Sequence, residues 1–214
     1  MTMIRNKRII YPVIAGVLAC LVVLAGWFIV QGQAAPSQQF TTVDMPIYNS
    51  IEELTAASDV VVIGTVKGVF SRYINFGQDG KPEWDGDVGT PAVVYEVEVT
   101  KGLKGEPDNS IFVDTIDAAS IICEDNSALK DNDQFILFLQ ERASGDWPNV
   151  PSPSDKFYVI TSFDNGVFDV LPDGTVTSRM PEAFTAAGCS SCGIAAEEPM
   201  FTLEGIRADV QAAQ

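Results

Sequence analysis

The chain has 214 residues, with 29 acidic and 13 basic side chains, no histidine and a formal net charge of −16. Without histidine there is no Ser-His-Asp or Cys-His nucleophile system, no HExxH zinc site and no imidazole proton relay. Arg5, Lys7 and Arg8 are the only charges in the first thirty residues, so the remainder carries a net charge of −19, a surface that repels phosphate and excludes nucleic acid as a partner.

Residues 1–8 form a basic cytoplasmic flank, and Ile9–Val30 is a 22-residue uncharged, largely apolar run. As a helix it spans about 33 Å, enough for a hydrocarbon core of roughly 30 Å. The basic flank predicts a single-pass cell-membrane protein, with the N-terminus cytoplasmic and the C-terminal domain extracytoplasmic. The competing reading is a cleavable signal peptide. Gly32-Gln33-Ala34 offers small residues at the −3 and −1 positions, and cleavage after Ala34 would release a secreted domain. Signal h-regions usually run about 7–15 residues, shorter than this one, which favours a retained signal anchor. Val17–Cys20 fits a lipoprotein box, but the apolar run continues past Cys20 where a lipoprotein would turn polar. Residues 31–48, with Gly32, Pro36 and Ser37, read as a tether.

About 180 residues remain, enough for one domain with a core of its own. Residues 49–180 carry the strand signals. Ser50 and Glu53 form a capping box that opens a short helix, with Leu54 as its apolar contact. Asp59–Phe70 predicts a buried strand rich in β-branched residues, with Gly64 and Gly68 as bulge points, and Ser71–Thr90 a polar loop. Pro91–Lys101 alternates, with Val93, Tyr95, Val97 and Val99 on one face and Val94, Glu96 and Glu98 on the other. Gly102–Asn109 turns the chain into a strand that begins with Ile111, Val113 and Thr115. Asp131-Asn132-Asp133 is a turn before the apolar strand Gln134–Gln140, and Lys156–Thr161 is another strand. Gly166–Ser178 predicts a hairpin closed by Asp173-Gly174. Residues 181–214 hold a CxxC pair and a terminal amphipathic helix from about Thr202, with Leu203, Ile206 and Val210 on one face. Many short strands and few helices predict a mainly β small barrel or sandwich.

The segment Ser58-Asp59-Val60-Val61-Val62 with Gly64 and Val66, followed by Tyr95–Val99 running into Gly102-Leu103-Lys104-Gly105, resembles the netrin-like domain. That module is shared by tissue inhibitors of metalloproteinases, complement C-terminal domains and secreted Frizzled-related proteins. Cys123 and Gln134–Leu139 match its cysteine and the apolar strand after it. The chain is also similar to uncharacterised exported bacterial proteins with the same pattern. The resemblance covers about Ser50–Gln140 and implies an OB-fold-like five-stranded barrel, with a short N-terminal helix and a C-terminal helix. It does not imply protease inhibition, which in that family needs an N-terminal cysteine whose amine reaches the catalytic zinc.

Among chemistry-bearing groups, Cys189 and Cys192 are the sharpest. A CxxC pair serves as a redox centre, half a zinc site or a local disulfide. No strand leads into this one and no helix cap follows, and only Cys123 remains as a further extracytoplasmic soft ligand, so a structural bridge is favoured. On chain entropy a Cys189–Cys192 bridge stabilises by about 2 kcal/mol, whereas Cys123 joined to either closes a loop of about 66 residues for about 4 kcal/mol. The connectivity stays open between these pairings. Asp79, Asp85 and Asp87 have the composition of a calcium loop without its ligand spacing, and a solvated hairpin loop accounts for them. Trp84, Trp147 and Tyr158 are candidates for an aromatic groove or for packing over the core. No cofactor is indicated. The reading is a tethered extracytoplasmic binding module without catalysis and with an unknown protein or ligand as partner. The alternative is an exported thiol–disulfide oxidoreductase using Cys189 and Cys192.

Overall fold

Eight strands and three short α-helices follow one another through the residues that the computed structural model describes, which are 46–117, 129–185 and 200–214. They belong to one unit, Met45–Gln214. The strands are β1 (Val60–Asn75), β2 (Thr90–Lys104), β3 (Ser110–Ile116), β4 (Gln134–Ala143), β5 (Lys156–Ile160), β6 (Val167–Val170), β7 (Thr175–Ser178) and β8 (Met200–Thr202). The helices are α1 (Ile51–Ala57), α2 (Glu182–Thr185) and α3 (Leu203–Ala212). Among the described residues no helix is long and apolar enough to cross a membrane, and Ile9–Val30 lies outside them.

Five strands close a barrel in the order β1-β2-β3-β5-β4, with β4 returning to β1. Every pair in this ring is antiparallel except β3 with β5, which are parallel. Beyond β5, the edge of β4 takes β6, and the sheet continues through β7 to β8. The predicted small barrel is therefore present, with a three-stranded extension built onto β4.

The sharing of β4 explains its sequence. Phe135, Leu137 and Leu139 point into the barrel with Val60, Val62, Val66, Val93, Tyr95, Val97, Ile111, Val113 and Tyr158. Ile136 and Phe138 face the opposite way and, with Val61 and Ile63 of β1, enter a second core. Both strands are buried on both faces, so they read as continuous apolar runs, whereas β2 alternates. The second core is closed by Ile51 and Leu54 of α1, Phe168, Phe184 and Phe201, and Ile206 and Val210 of α3. Phe168 contacts Phe138, Phe184 and Phe201 at ring-centroid distances of 5.6, 5.5 and 5.3 Å. The C-terminal segment thus covers the outside of the barrel, and β8, too short to be read from the sequence, pairs with β7.

The helix ends form as their residues dictate. The Ser50 hydroxyl accepts the Glu53 N–H at 3.1 Å, while the Glu53 carboxylate accepts the Asn49 N–H, one residue before the position a capping box would use. At the end of α1 Lys104 donates to the carbonyls of Thr55 and Ser58 at 2.8 and 2.7 Å, adding to the bond that the Thr55 carbonyl accepts from the Ser58 N–H. Thr202 caps α3 through the Gly205 N–H. Asp173 holds the β6–β7 turn by accepting the Thr175 N–H, an interaction that lowers its pKa, and Gly174 takes a φ of 84°.

Three strands run past their expected ends: β2 continues to Lys104, into the expected turn Gly102–Asn109, β4 continues past Gln140 to Ala143, and β1 changes most. β1 does not end at Phe70 but runs to Asn75, and the predicted loop shrinks to residues 76–89. Polar Ser71, Arg72 and Asn75 conceal a strand that is held by backbone pairing to β2, from Ser71↔Val94 through Asn75↔Thr90. Gly64 and Gly68 do sit at register irregularities, as their positions predicted. The chain enters the fold at a further point absent from the sequence reading. The buried Asn165 side chain accepts the Tyr48 N–H at 2.9 Å and donates to the Tyr48 carbonyl at 3.2 Å, and Ser162 donates to the Pro46 carbonyl. The β5–β6 corner reaches this position through left-handed Ser162 and Phe163, at φ 58° and 47°.

Candidate functional site

The outer wall of β2, β3 and β5 carries a small third core. Val94, Val150 and Phe157 are buried there, with Tyr73, Phe112, Trp147 and Val159 packed around them. Strand alternation puts Asp114 on this wall, opposite Val94 on one side and Val159 on the other, and it is 7% exposed. The Tyr73 hydroxyl donates to Asp114 Oδ1 at 2.9 Å. Burial pushes the Asp114 carboxyl up to about 7, against weaker opposing pulls from the Tyr73 hydroxyl and the Thr115 backbone. Burial, and then the adjacent Asp114, push the Tyr73 phenol above its ordinary range. The Asp114 carboxyl therefore exchanges its proton near neutral pH, on the same wall on which Trp147 and Val150 of the β4–β5 connection pack.

Charged groups also line the ends of the barrel. Tyr95, whose phenol is raised chiefly by burial, lies in the field of Asp117, Arg72, Asp131 and Arg179. Arg72 Nε donates to the buried Asp117 at 3.0 Å. Arg179 holds Asp169 with two bonds of 3.0 Å, and its guanidinium lies 5.0 Å from the Phe135 ring centroid. Elsewhere Lys156 donates to Glu141 at 3.2 Å, and hydrogen bonding with Tyr158 and then Glu141 raises the Lys156 pKa. Among the described residues no three Cys, Asp or Glu side chains gather as a metal site would require.

The most uneven feature is apolar exposure. Of the seven large apolar side chains exposed among the described residues, five lie between Val69 and Val88. They are Val69, Phe70 and Ile74 on distal β1, and Trp84 and Val88 on the loop after it, with Val88 at 80% exposure. Phe70 stacks edge-on against Phe112 of β3 at 5.1 Å, so the patch continues onto the wall that covers Asp114. The loop contributes Asp79, Glu83, Asp85 and Asp87 against a single Lys81.

No family model matches the chain, and no curated protein matches it.

The residues singled out from sequence do not converge. Asp79 accepts the Lys81 N–H, and Asp87 accepts the Gly89 and Glu83 N–H groups at 2.9 and 3.1 Å, which are turn-forming roles. Asp85 lies on the same loop. The aromatic trio is dispersed: Tyr158 is inside the barrel, Trp147 packs on the outer wall and Trp84 projects from the β1–β2 loop at 57% exposure. Cys123, Cys189 and Cys192 lie outside the described residues. The sequence reading missed Asp114 and Tyr73, though an acid inside the strand signal Ile111-Phe112-Val113-Asp114-Thr115 was the available hint for Asp114.

Proposed function

We propose that the chain is a membrane-tethered, extracytoplasmic, non-catalytic binding module whose working surface is the arm made by distal β1 and the loop 76–89. The observation that carries this reading is the concentration of exposed apolar side chains on that arm, which holds five of the seven large ones among the described residues. The barrel is of the OB type, a reading supported by the ring order with its single parallel pair and by the netrin-like pattern of residues. OB barrels offer their strand 2–3 face and the loops after strands 1 and 4 to ligands. In this chain the corresponding loops carry Trp84, Val88 and Trp147. Ile9–Val30 keeps the module at the outer face of the membrane, and the strongly acidic domain favours a protein partner with a basic rim over nucleic acid. Two of the three cysteines Cys123, Cys189 and Cys192 form a structural bridge in an oxidising compartment, and the third stays a thiol.

Cross-linking in intact membranes tests this. A double variant, Trp84→Ala with Val88→Ser, loses the partners captured by the unaltered chain, while Leu171→Ser, which removes an exposed apolar residue elsewhere, retains them. Equal capture by both variants contradicts the assignment of the arm.

A further inference from the structure

We propose that distal β1 is a strand-addition site, and that it receives an extended, basic segment of a partner protein along the edge centred on Ser71–Asn75. This rests on the binding-module reading above and specifies how the arm binds. The antiparallel pairing of β4 with β1 stops at Thr65↔Gln134, whereas β2 follows β1 ten residues further, to Asn75↔Thr90. At Val66 the edge is closed by the Asp131–Asp133 turn, where the Asn132 N–H donates to the Val66 carbonyl at 2.8 Å. Among the described residues every backbone pairing from Lys67 to Asn75 is to β2, and nothing bonds the opposite edge. In an antiparallel ladder alternate residues aim their N–H and C=O groups outward, so this edge offers a row of donors and acceptors. Register irregularities interrupt it near Gly68 and between Val69 and Ser71, but Ser71 to Asn75 is unbroken. That leaves a run long enough for a short added strand, with the exposed side chains of Val69, Phe70 and Ile74 beside it for the incoming residues to cover.

Charge selects the occupant. The two cations on the edge are engaged, Lys67 with Glu98 and Arg72 with Asp117. Asp131 lies beside Gly68 at one end, and the acidic loop with Asp79, Glu83, Asp85 and Asp87 follows Asn75 at the other. A second copy of this chain would bring the same excess of carboxylates to the contact, whereas a strand with lysines flanking β-branched residues would be attracted at both ends.

The test uses the full chain in detergent micelles and a synthetic peptide of alternating valine and threonine with lysine at both ends. Amide hydrogen exchange should slow within residues 67–75 on peptide addition. Exchanging the peptide's lysines for glutamates should lower affinity about tenfold or more. Ile74→Lys, at an exposed position and with the circular dichroism of the unaltered protein, should weaken the lysine peptide by a similar factor. Peptide binding that protects another segment, equal binding of the glutamate peptide, or no binding overturns strand addition. Partner capture through Trp84 and Val88 can survive any of these results, so the failure of this inference is distinguishable from failure of the binding-module reading.

Discussion

Replacing Asp114 by asparagine should remove a pH-dependent cost of folding. An ordinary aspartate has a pKa of 3.8, and burial raises the Asp114 carboxyl to about 7. Below about pH 4 the group is protonated in folded and unfolded states alike. As pH rises from about 4 to about 7 the unfolded chain releases its proton while the folded chain keeps it, so this contribution to stability is present in acid and is lost across that window. Above about 7 both states are ionised and the loss is constant. At about 1.4 kcal/mol per pH unit, the shift amounts to about 4 kcal/mol, an upper figure because local relaxation reduces it. Asparagine keeps an acceptor for the Tyr73 hydroxyl but does not titrate. Urea unfolding of the full chain in detergent, followed by circular dichroism, should show Asp114→Asn gaining stability relative to the unaltered chain as pH rises through the window. Other groups titrate equally in both proteins and cancel in the difference. A difference that stays constant from about pH 4 to about pH 8 would refute the argument that Asp114 is a buried, reluctantly ionised acid.

Three further outcomes follow from the packing. Phe168→Ala empties the centre of the second core, where three aromatic rings meet it, and should cost about 3–5 kcal/mol in the same unfolding assay. Asn165→Ala deletes both bonds to the Tyr48 backbone, so it should cost about 1–3 kcal/mol and accelerate hydrogen exchange at the Tyr48 amide. Gly64→Ala places a methyl group 2.6 Å from Val97 Cγ1 and 3.0 Å from the Glu98 carbonyl, and should destabilise by about 1–3 kcal/mol, with partial rescue by Val97→Ala.

Legibility followed the range of the interactions involved. Local signals were readable: the Ser50 cap, the Asp173-Gly174 turn, the alternation of β2 and the amphipathic face of α3 all depend on neighbours a few residues away. The continuous apolar runs of β1 and β4 announced burial. They could not announce that alternate residues serve two different cores, because the second core depends on Phe184, Phe201 and α3 far along the chain. The distal half of β1 was hidden for a related reason: its pairing is made by the backbone, and Ser71, Arg72 and Asn75 carry no strand signature. The site was less legible than the fold. Tyr73 and Asp114 are 41 residues apart, and only the register of β1 on β2 and β2 on β3 brings them together. Asp79 and Asp87, read from the sequence as parts of a solvated hairpin loop, form its turns.

The measurement that bears most directly on the account is photo-cross-linking from position 84 in intact membranes, with exposed position 171 as the control. A binding arm predicts a discrete protein adduct from position 84 that is absent from position 171. No adduct at position 84, or the same adducts at both positions, would contradict a module that works through the β1–β2 arm.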